Sequence, residues 1–70
     1  METFSLDGHP YIALCDLLKI QGWCHSGAAA KTSIYGQQVK VDGTMETRKR
    51  CKIVANQQVE FLGKTVKIVE

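Results

Sequence analysis

Hydrophobic positions follow a helical period early in the chain and alternate with polar positions later on. Leu14 and Leu18 lie on one face of a 3.6-residue repeat, which predicts a first helix over residues 11–21. Pro10 suits the start of this helix, because the first turn leaves backbone donors unpaired and proline has none. Gly22 suits its end, where glycine readily adopts the left-handed conformation.

A second helix is predicted over residues 27–35. Ser26 is a favourable N-cap, since its hydroxyl can accept a hydrogen bond from a free backbone N–H of the first turn. The alanines at 28–30 are strong helix formers, and Gly36 is placed to terminate the helix.

The remaining pattern predicts short strands, with apolar side chains on alternate positions. Asp42-Gly43 is a strong signal for a two-residue hairpin, and Gly63-Lys64 is a second turn. The strands are expected at residues 3–6, at 39–41, around Val59 and Phe61, and around Val66 and Ile68. The pattern therefore predicts an α+β fold in which two helices pack on a small, mainly antiparallel sheet. At 70 residues, we expect a single domain over 1–70.

Charge is distributed unevenly along the chain, although the formal net charge is only +2. Residues 1–30 carry one basic and three acidic side chains, and residues 53–70 carry two of each. Residues 31–52 carry six basic side chains against two acidic ones. A positive segment of this kind is typical of a surface that binds a polyanion.

The start of the second helix is the first candidate for such binding. A helix N-terminus presents unpaired N–H groups and a partial positive charge, which together favour phosphate. Gly27 permits close approach, and Lys31 lies one turn further on the same face. The alternative interpretation is an ordinary capped helix with a solvated lysine.

The second candidate is the basic run that contains Arg48, Lys49, Arg50 and Lys52. In an extended conformation Arg48, Arg50 and Lys52 would share one face, where guanidinium groups can grip phosphate oxygens in pairs. A charged edge strand that prevents aggregation is the alternative. If both candidates form one surface, Lys31 is expected near Arg48 or Arg50. Lys40, between two inward-facing valines, is a minor contributor.

The other reactive side chains give little support to catalysis or metal binding. No phosphate loop, nucleophile elbow or pair of catalytic carboxylates is present. The three cysteines lack a CxxC pair, so we expect reduced thiols, no metal and no cofactor. Trp23 could stack on a base, but a corner of the core is the stronger prediction. Without a signal peptide or an apolar membrane-spanning run, the expected compartment is the cytoplasm.

Several of these residues together resemble the RNA-binding domain first recognised in small-subunit ribosomal protein S-four, the alpha-L motif. The likeness is greatest to its stand-alone bacterial branch, the YbcJ type, and extends over nearly the whole chain. The combination matters more than any part of it: Ser26-Gly27, Ala30-Lys31, Gly36, Val39-Lys40-Val41-Asp42-Gly43, Glu46, Arg48-Lys49-Arg50 and Lys52.

The resemblance implies a non-catalytic protein that clasps folded RNA, often ribosomal RNA, with the ribosome or its assembly factors as possible partners. It implies neither a small-molecule substrate nor a membrane. The RNA contacts that it implies are Ser26, Gly27, Lys31, Lys40, Arg48, Lys49, Arg50 and Lys52. Many family members with larger catalytic neighbours have arginine where this chain has Gly27, so part of the usual surface is missing or is supplied by backbone amides. A protein-interaction adaptor that uses the same basic surface is the alternative function.

Overall fold

The computed structural model describes residues 2–70, and its two helices and its strands form an α+β arrangement. The elements in chain order are β1 (Glu2–Ser5), β2 (Ile12–Ala13), α1 (Leu14–Ile20), α2 (Gly27–Tyr35), β3 (Val39–Val41), β4 (Thr44–Met45), β5 (Lys52–Ile53), β6 (Gln58–Phe61) and β7 (Lys64–Val69). The predicted fold class is confirmed. The first strand begins and ends one residue earlier than predicted.

The larger sheet has five strands in the order β1-β7-β6-β3-β4, and β2 pairs with β5 in a separate antiparallel ribbon. The β1–β7 pair is parallel, whereas the other neighbours in the large sheet are antiparallel. The sheet is therefore mixed but mainly antiparallel, as the alternating pattern and hairpin signals predicted. Within residues 2–70, neither helix combines the length and apolar character needed to cross a bilayer.

The core lies between one face of the large sheet and the inner faces of both helices. Alternation along the strands directs their apolar side chains to the same side, where they bury area that would otherwise face water. The buried residues form one cluster, which includes Leu14, Leu17 and Leu18 from α1, Ala30 and Ile34 from α2, and Val39, Ile53, Val59, Phe61, Val66 and Ile68 from the strands. The leucine face predicted from sequence is confirmed.

The start of α1 differs from the prediction. The helix begins at Leu14 rather than near Pro10, and Ala13 before it provides no side-chain cap. Instead, the Leu14 N–H donates to the Cys51 carbonyl at 2.9 Å, and the Cys15 N–H donates to the Lys49 carbonyl at 3.0 Å. Backbone carbonyls of the basic run therefore satisfy donors that a helix start leaves free. Residues 12–13, predicted to be helical, form β2 because they pair with β5.

Both predicted helix ends are confirmed, since Gly22 follows α1 and Gly36 follows the last residue of α2, but their backbone geometries differ. Gly22 follows α1 with φ +77°, the left-handed conformation predicted for it. After α2, however, Gly36 has φ −77°, and Gln37 is the left-handed residue with φ 62°. The N–H groups of Gln37 and Gln38 donate at 3.1 Å to the carbonyls of Ile34 and of the residue before it. Gln37 therefore occupies the left-handed position of this helix-ending motif, where a residue with a Cβ is strained.

The predicted hairpin at Asp42-Gly43 is confirmed, because both residues have positive φ and Val41 pairs with Thr44. Two consecutive left-handed residues match the twist of the flanking strands. The second turn lies one residue earlier than predicted, at 62–63, and Lys64 already belongs to β7.

Candidate nucleic-acid interface

The N-terminus of α2 has the predicted cap. Ser26 has an extended backbone, and its Oγ accepts a hydrogen bond from the Ala29 N–H at 3.1 Å. Gly27 follows with open space around it, since a Cβ added there would have no heavy atom within 4 Å. The space beside Gly27 at the start of α2 is therefore open to a ligand.

The basic run does not have the extended conformation predicted from sequence. The Cys51 N–H donates to the Arg48 carbonyl at 3.1 Å, which closes a turn, and only Lys52–Ile53 form a strand. The bonds from the Lys49 and Cys51 carbonyls to α1 explain this difference. Bending the chain at 49–50 brings both carbonyls to the helix start, which a regular strand paired elsewhere would not do. We call residues 48–51 the basic turn.

The basic turn and α2 meet along one surface depression, which we call the helix cleft. Gly27 and Lys31 line it from α2, Lys49 and Arg50 line it from the basic turn, and Asp16 of α1 lies beside them. Its volume is about 310 Å³. The expectation that Lys31 lies near Arg48 or Arg50 is confirmed for Arg50.

A second depression, the turn cleft, also lies along the basic turn. Arg48, Arg50, Cys51 and Lys52 line it, and its volume is about 450 Å³. Arg48, Arg50 and Lys52, which were predicted to share one face of an extended strand, therefore do come together, but through a turn of the backbone. Arg50 lines both clefts and joins them.

Lys40 lies apart from these residues. It is exposed on β3 between the buried Val39 and Val41, opposite Glu60 in the sheet register. The depression that it lines contains Gln37 and Glu60 but no other predicted contact residue. The structure thus brings together all the predicted basic residues except Lys40.

Glu46 organises one side of the basic turn. Its carboxylate accepts hydrogen bonds from the backbone N–H groups of Thr47 at 3.1 Å and Arg48 at 3.0 Å. It also accepts two bonds from the Arg48 guanidinium, from Nε at 3.0 Å and from Nη2 at 3.1 Å. Chiefly through the side-chain and backbone bonds of Arg48, the pKa of Glu46 falls from 4.5 to about 2. The pKa of Arg48 is raised by the same pair.

The Glu46–Arg48 pair fixes the guanidinium plane but also neutralises part of its charge. Glu46 belongs to the motif that carried the family resemblance, yet its positioning role was not predicted. The signal was the Glu-x-Arg spacing, since a carboxylate two residues before an arginine can accept both its backbone and side-chain donors. Arg50 has no comparable hydrogen-bonded carboxylate among residues 2–70.

The three cysteines are free, and one of them has a shifted pKa. Cys15 and Cys51 are half-buried and free, and Cys24 is buried and also free. The pKa of Cys51 is raised, first by burial and then by the nearby carboxylate of Glu46, which favours the neutral thiol. Over residues 2–70, no three His, Cys, Asp or Glu side chains are grouped to hold a metal ion.

The aromatic residues divide between core and surface. Trp23 stacks on Phe61 with ring centroids 6.1 Å apart and packs against the core, which confirms its predicted corner position. Tyr11 and Tyr35 are exposed, by 43% and 54%. A lysine lies over each ring, with Lys52 Nζ 5.0 Å from the centroid of Tyr11 and Lys31 Nζ 5.8 Å from that of Tyr35.

The helices, the mixed sheet and the basic turn define the chain as a member of the S4 domain family, which it matches over residues 4–69. The resemblance predicted from the sequence is therefore confirmed. The chain is 62% identical over 69 residues to YbcJ of Escherichia coli (strain K12), a protein provisionally named as RNA-binding, and the match covers 99% of both chains. The YbcJ protein of Shigella flexneri, named as uncharacterized, is equally similar over the same share of both chains.

A solved structure shows the same fold. The solution structure of YbcJ from E. coli superposes with a TM-score of 0.77 at 61% identity, and the match covers 100% of this chain and 89% of that one. That structure is described as revealing an alpha-L motif involved in RNA-binding. The alpha-L arrangement expected from the sequence is thus the fold of this chain.

Proposed function

We propose that this protein is a non-catalytic RNA-binding domain that spans residues 1–70 and holds structured RNA, with ribosomal RNA as its target. The helix cleft and the turn cleft form the contact surface. The proposed contacts at the start of α2 are Ser26, Gly27 and Lys31. The proposed contacts in the basic run are Arg48, Lys49, Arg50 and Lys52. The RNA-binding description of a relative that is 61% identical supports this assignment.

The single observation that carries the proposal is the position of Arg50. It lines the helix cleft with Lys31 and the turn cleft with Lys52, so one guanidinium joins cations from elements far apart in sequence. A surface built in this way can contact phosphates on both sides of a groove. Guanidinium also holds phosphate oxygens in pairs, which a lysine cannot do.

The chemistry favours recognition of shape over base sequence. Most of the side chains concerned are cations, which contact phosphates and position the partner without reading bases. Duplex RNA presents a deep, narrow major groove that side chains read poorly, so its backbone geometry is the accessible feature. We therefore expect a preference for folded RNA over unstructured single strands. Ribosomes and their assembly intermediates are the setting that we propose.

The test is fluorescence anisotropy with a folded ribosomal RNA fragment and an unstructured RNA of equal length, at several salt concentrations. If four or five cations neutralise phosphates, the slope of log affinity against log salt is about −3 to −4. Lys31→Ala and Arg50→Ala should each weaken binding and flatten the slope by about one. Lys64→Ala is the matched control. Lys64 is exposed at the start of β7, and its replacement by alanine removes the same charge as Lys31→Ala.

Equal losses in Lys31→Ala and Lys64→Ala would show that net charge alone drives binding and would reject the clefts as the site. Absence of RNA binding by the wild type at low salt would reject the proposal altogether. In that case, capture of an acidic protein by the same surface becomes the function to test. Lys40→Ala is informative as well, since retained affinity places the RNA on the cleft side alone.

A further inference from the structure

Tyr11 is exposed at a position where the fold gives it no packing role. It is absent from the hydrophobic cluster and from the half-buried residues that pack against it among residues 2–70. The residue is instead 43% exposed, with the Lys52 ammonium 5.0 Å from the ring centroid. An exposed aromatic ring beside a cation of the proposed RNA surface is the arrangement on which nucleic-acid bases stack.

Tyr11 also lines a third depression, the tyrosine cleft, which has a volume of about 430 Å³. Arg50 and Asp16 line this cleft and also line the helix cleft, so the two are adjacent. His9 lies at the same site. A ligand held by the basic turn would therefore reach the tyrosine ring without leaving the surface.

The composition of the tyrosine cleft differs from that of its neighbours. It contains one guanidinium, an aromatic ring and the carboxylate of Asp16. The helix cleft shares Asp16 and Arg50 but adds three lysines, and the turn cleft contains three cations and no carboxylate. A carboxylate repels phosphate but accepts hydrogen bonds from the amino groups of bases. The side chain of Asp16 is 54% exposed, and its salt bridge to Lys19 is long, at 3.8 Å, so it can accept such bonds. The cleft therefore suits a base better than a phosphate.

We propose that the tyrosine cleft binds one unpaired nucleotide of the RNA, whose base stacks on the face of Tyr11 that Lys52 leaves free. Asp16 accepts a hydrogen bond from the base, and Arg50 holds the adjoining phosphate. This inference rests on the proposed RNA-binding function and names the class of target: a double helix interrupted by an unpaired nucleotide.

Two hairpin RNAs test the inference, one fully paired and one with a single unpaired nucleotide in its stem. The unpaired position carries 2-aminopurine, whose fluorescence falls when it stacks. Wild type should bind the interrupted hairpin at least about fivefold more tightly and quench the probe, given the strength of base–aromatic stacking. Tyr11→Leu should abolish both the preference and the quenching, whereas Tyr11→Phe should retain them.

Tyr35→Leu is the matched control, because Tyr35 is also an exposed tyrosine with a lysine over its ring but lines none of the three clefts. It should keep the preference and the quenching. Equal binding of both hairpins by wild type, or an unchanged preference in Tyr11→Leu, would overturn the inference and leave the proposed function standing. Binding of neither hairpin would instead count against RNA binding itself. Thermal unfolding of Tyr11→Leu verifies that the variant is folded.

Discussion

Replacing Glu46 by glutamine tests how the basic turn is held. In the folded protein the Glu46 carboxylate accepts four hydrogen bonds, two of them from the Arg48 guanidinium. Glutamine keeps one acceptor oxygen, but its amide NH₂ would face the guanidinium donors. Glu46→Gln therefore removes the charge pair and leaves part of the guanidinium without a partner.

The magnitude follows from the pKa of Glu46, which falls from 4.5 to about 2 on folding. Each pKa unit corresponds to about 1.4 kcal/mol, so the whole shift corresponds to about 3 kcal/mol. Solvent screening reduces this figure, because the Arg48 side chain is 77% exposed. We expect Glu46→Gln to lower the free energy of unfolding by about 1–2 kcal/mol, and the melting temperature by about 5–10 °C.

The pH dependence carries a defined sign. Because the folded pKa of Glu46 lies below 4.5, its contribution is complete above about pH 4.5. This contribution to the free energy of unfolding is lost as the pH falls from about 4.5 to about 2. Wild type therefore loses stability over this range, whereas Glu46→Gln has no carboxylate to protonate. The difference in unfolding free energy between the two proteins should therefore shrink on acidification.

Urea unfolding at pH 7 and pH 2.5, followed by Trp23 fluorescence, measures this difference. Glu60→Gln is the control, since it removes the same charge from the outer face of β6, away from the basic turn. Equal stability of wild type and Glu46→Gln at pH 7, or a stability gap that does not change with pH, would refute the reasoning.

Three further substitutions test the local structure by the same unfolding measurement. Ser26→Ala removes the cap of α2 and should cost about 1 kcal/mol, whereas Ser26→Asp should restore most of it; equal losses in both would argue against capping. Gln37→Gly relieves the strain of a left-handed backbone and should raise the free energy of unfolding by about 0.5–1 kcal/mol; a loss of stability would show that Gln37 is not strained. Ile53→Ala opens the fully buried core beneath β5 and should cost about 2–4 kcal/mol, a loss that the exposed Val54→Ala should not reproduce.

The sequence predicted the elements whose signals are local. The leucines of α1 share a face because three- and four-residue spacing is enough to define an amphipathic helix. Asp42-Gly43 forms its hairpin because both residues accept positive φ, and Ser26 caps α2 through a bond to a residue three positions later. Each of these features depends on residues that are close in sequence.

The features that sequence missed depend on residues that are distant in the chain. The start of α1 is set by carbonyls at Lys49 and Cys51, and the pairing of β2 with β5 is set by the same approach. The hydrophobic pattern around Pro10 does not indicate these contacts with residues 49–51, so it could not predict where α1 begins. For the same reason the basic run was predicted to be extended, although its four cations were placed in the candidate site.

The bonds that start α1 also separate the stability of the basic turn from the surface that we propose for RNA binding. The turn is held by backbone carbonyls of Lys49 and Cys51, while the side chains of Lys49 and Arg50 extend into the helix cleft. Those side chains can therefore change without loss of the bonds that shape the turn. Arg48 is the exception, because its guanidinium is bound to the carboxylate of Glu46. Within this small fold, Arg50 and Lys49 are thus positions where the proposed RNA binding can be altered with little effect on folding, whereas Arg48 contributes to both.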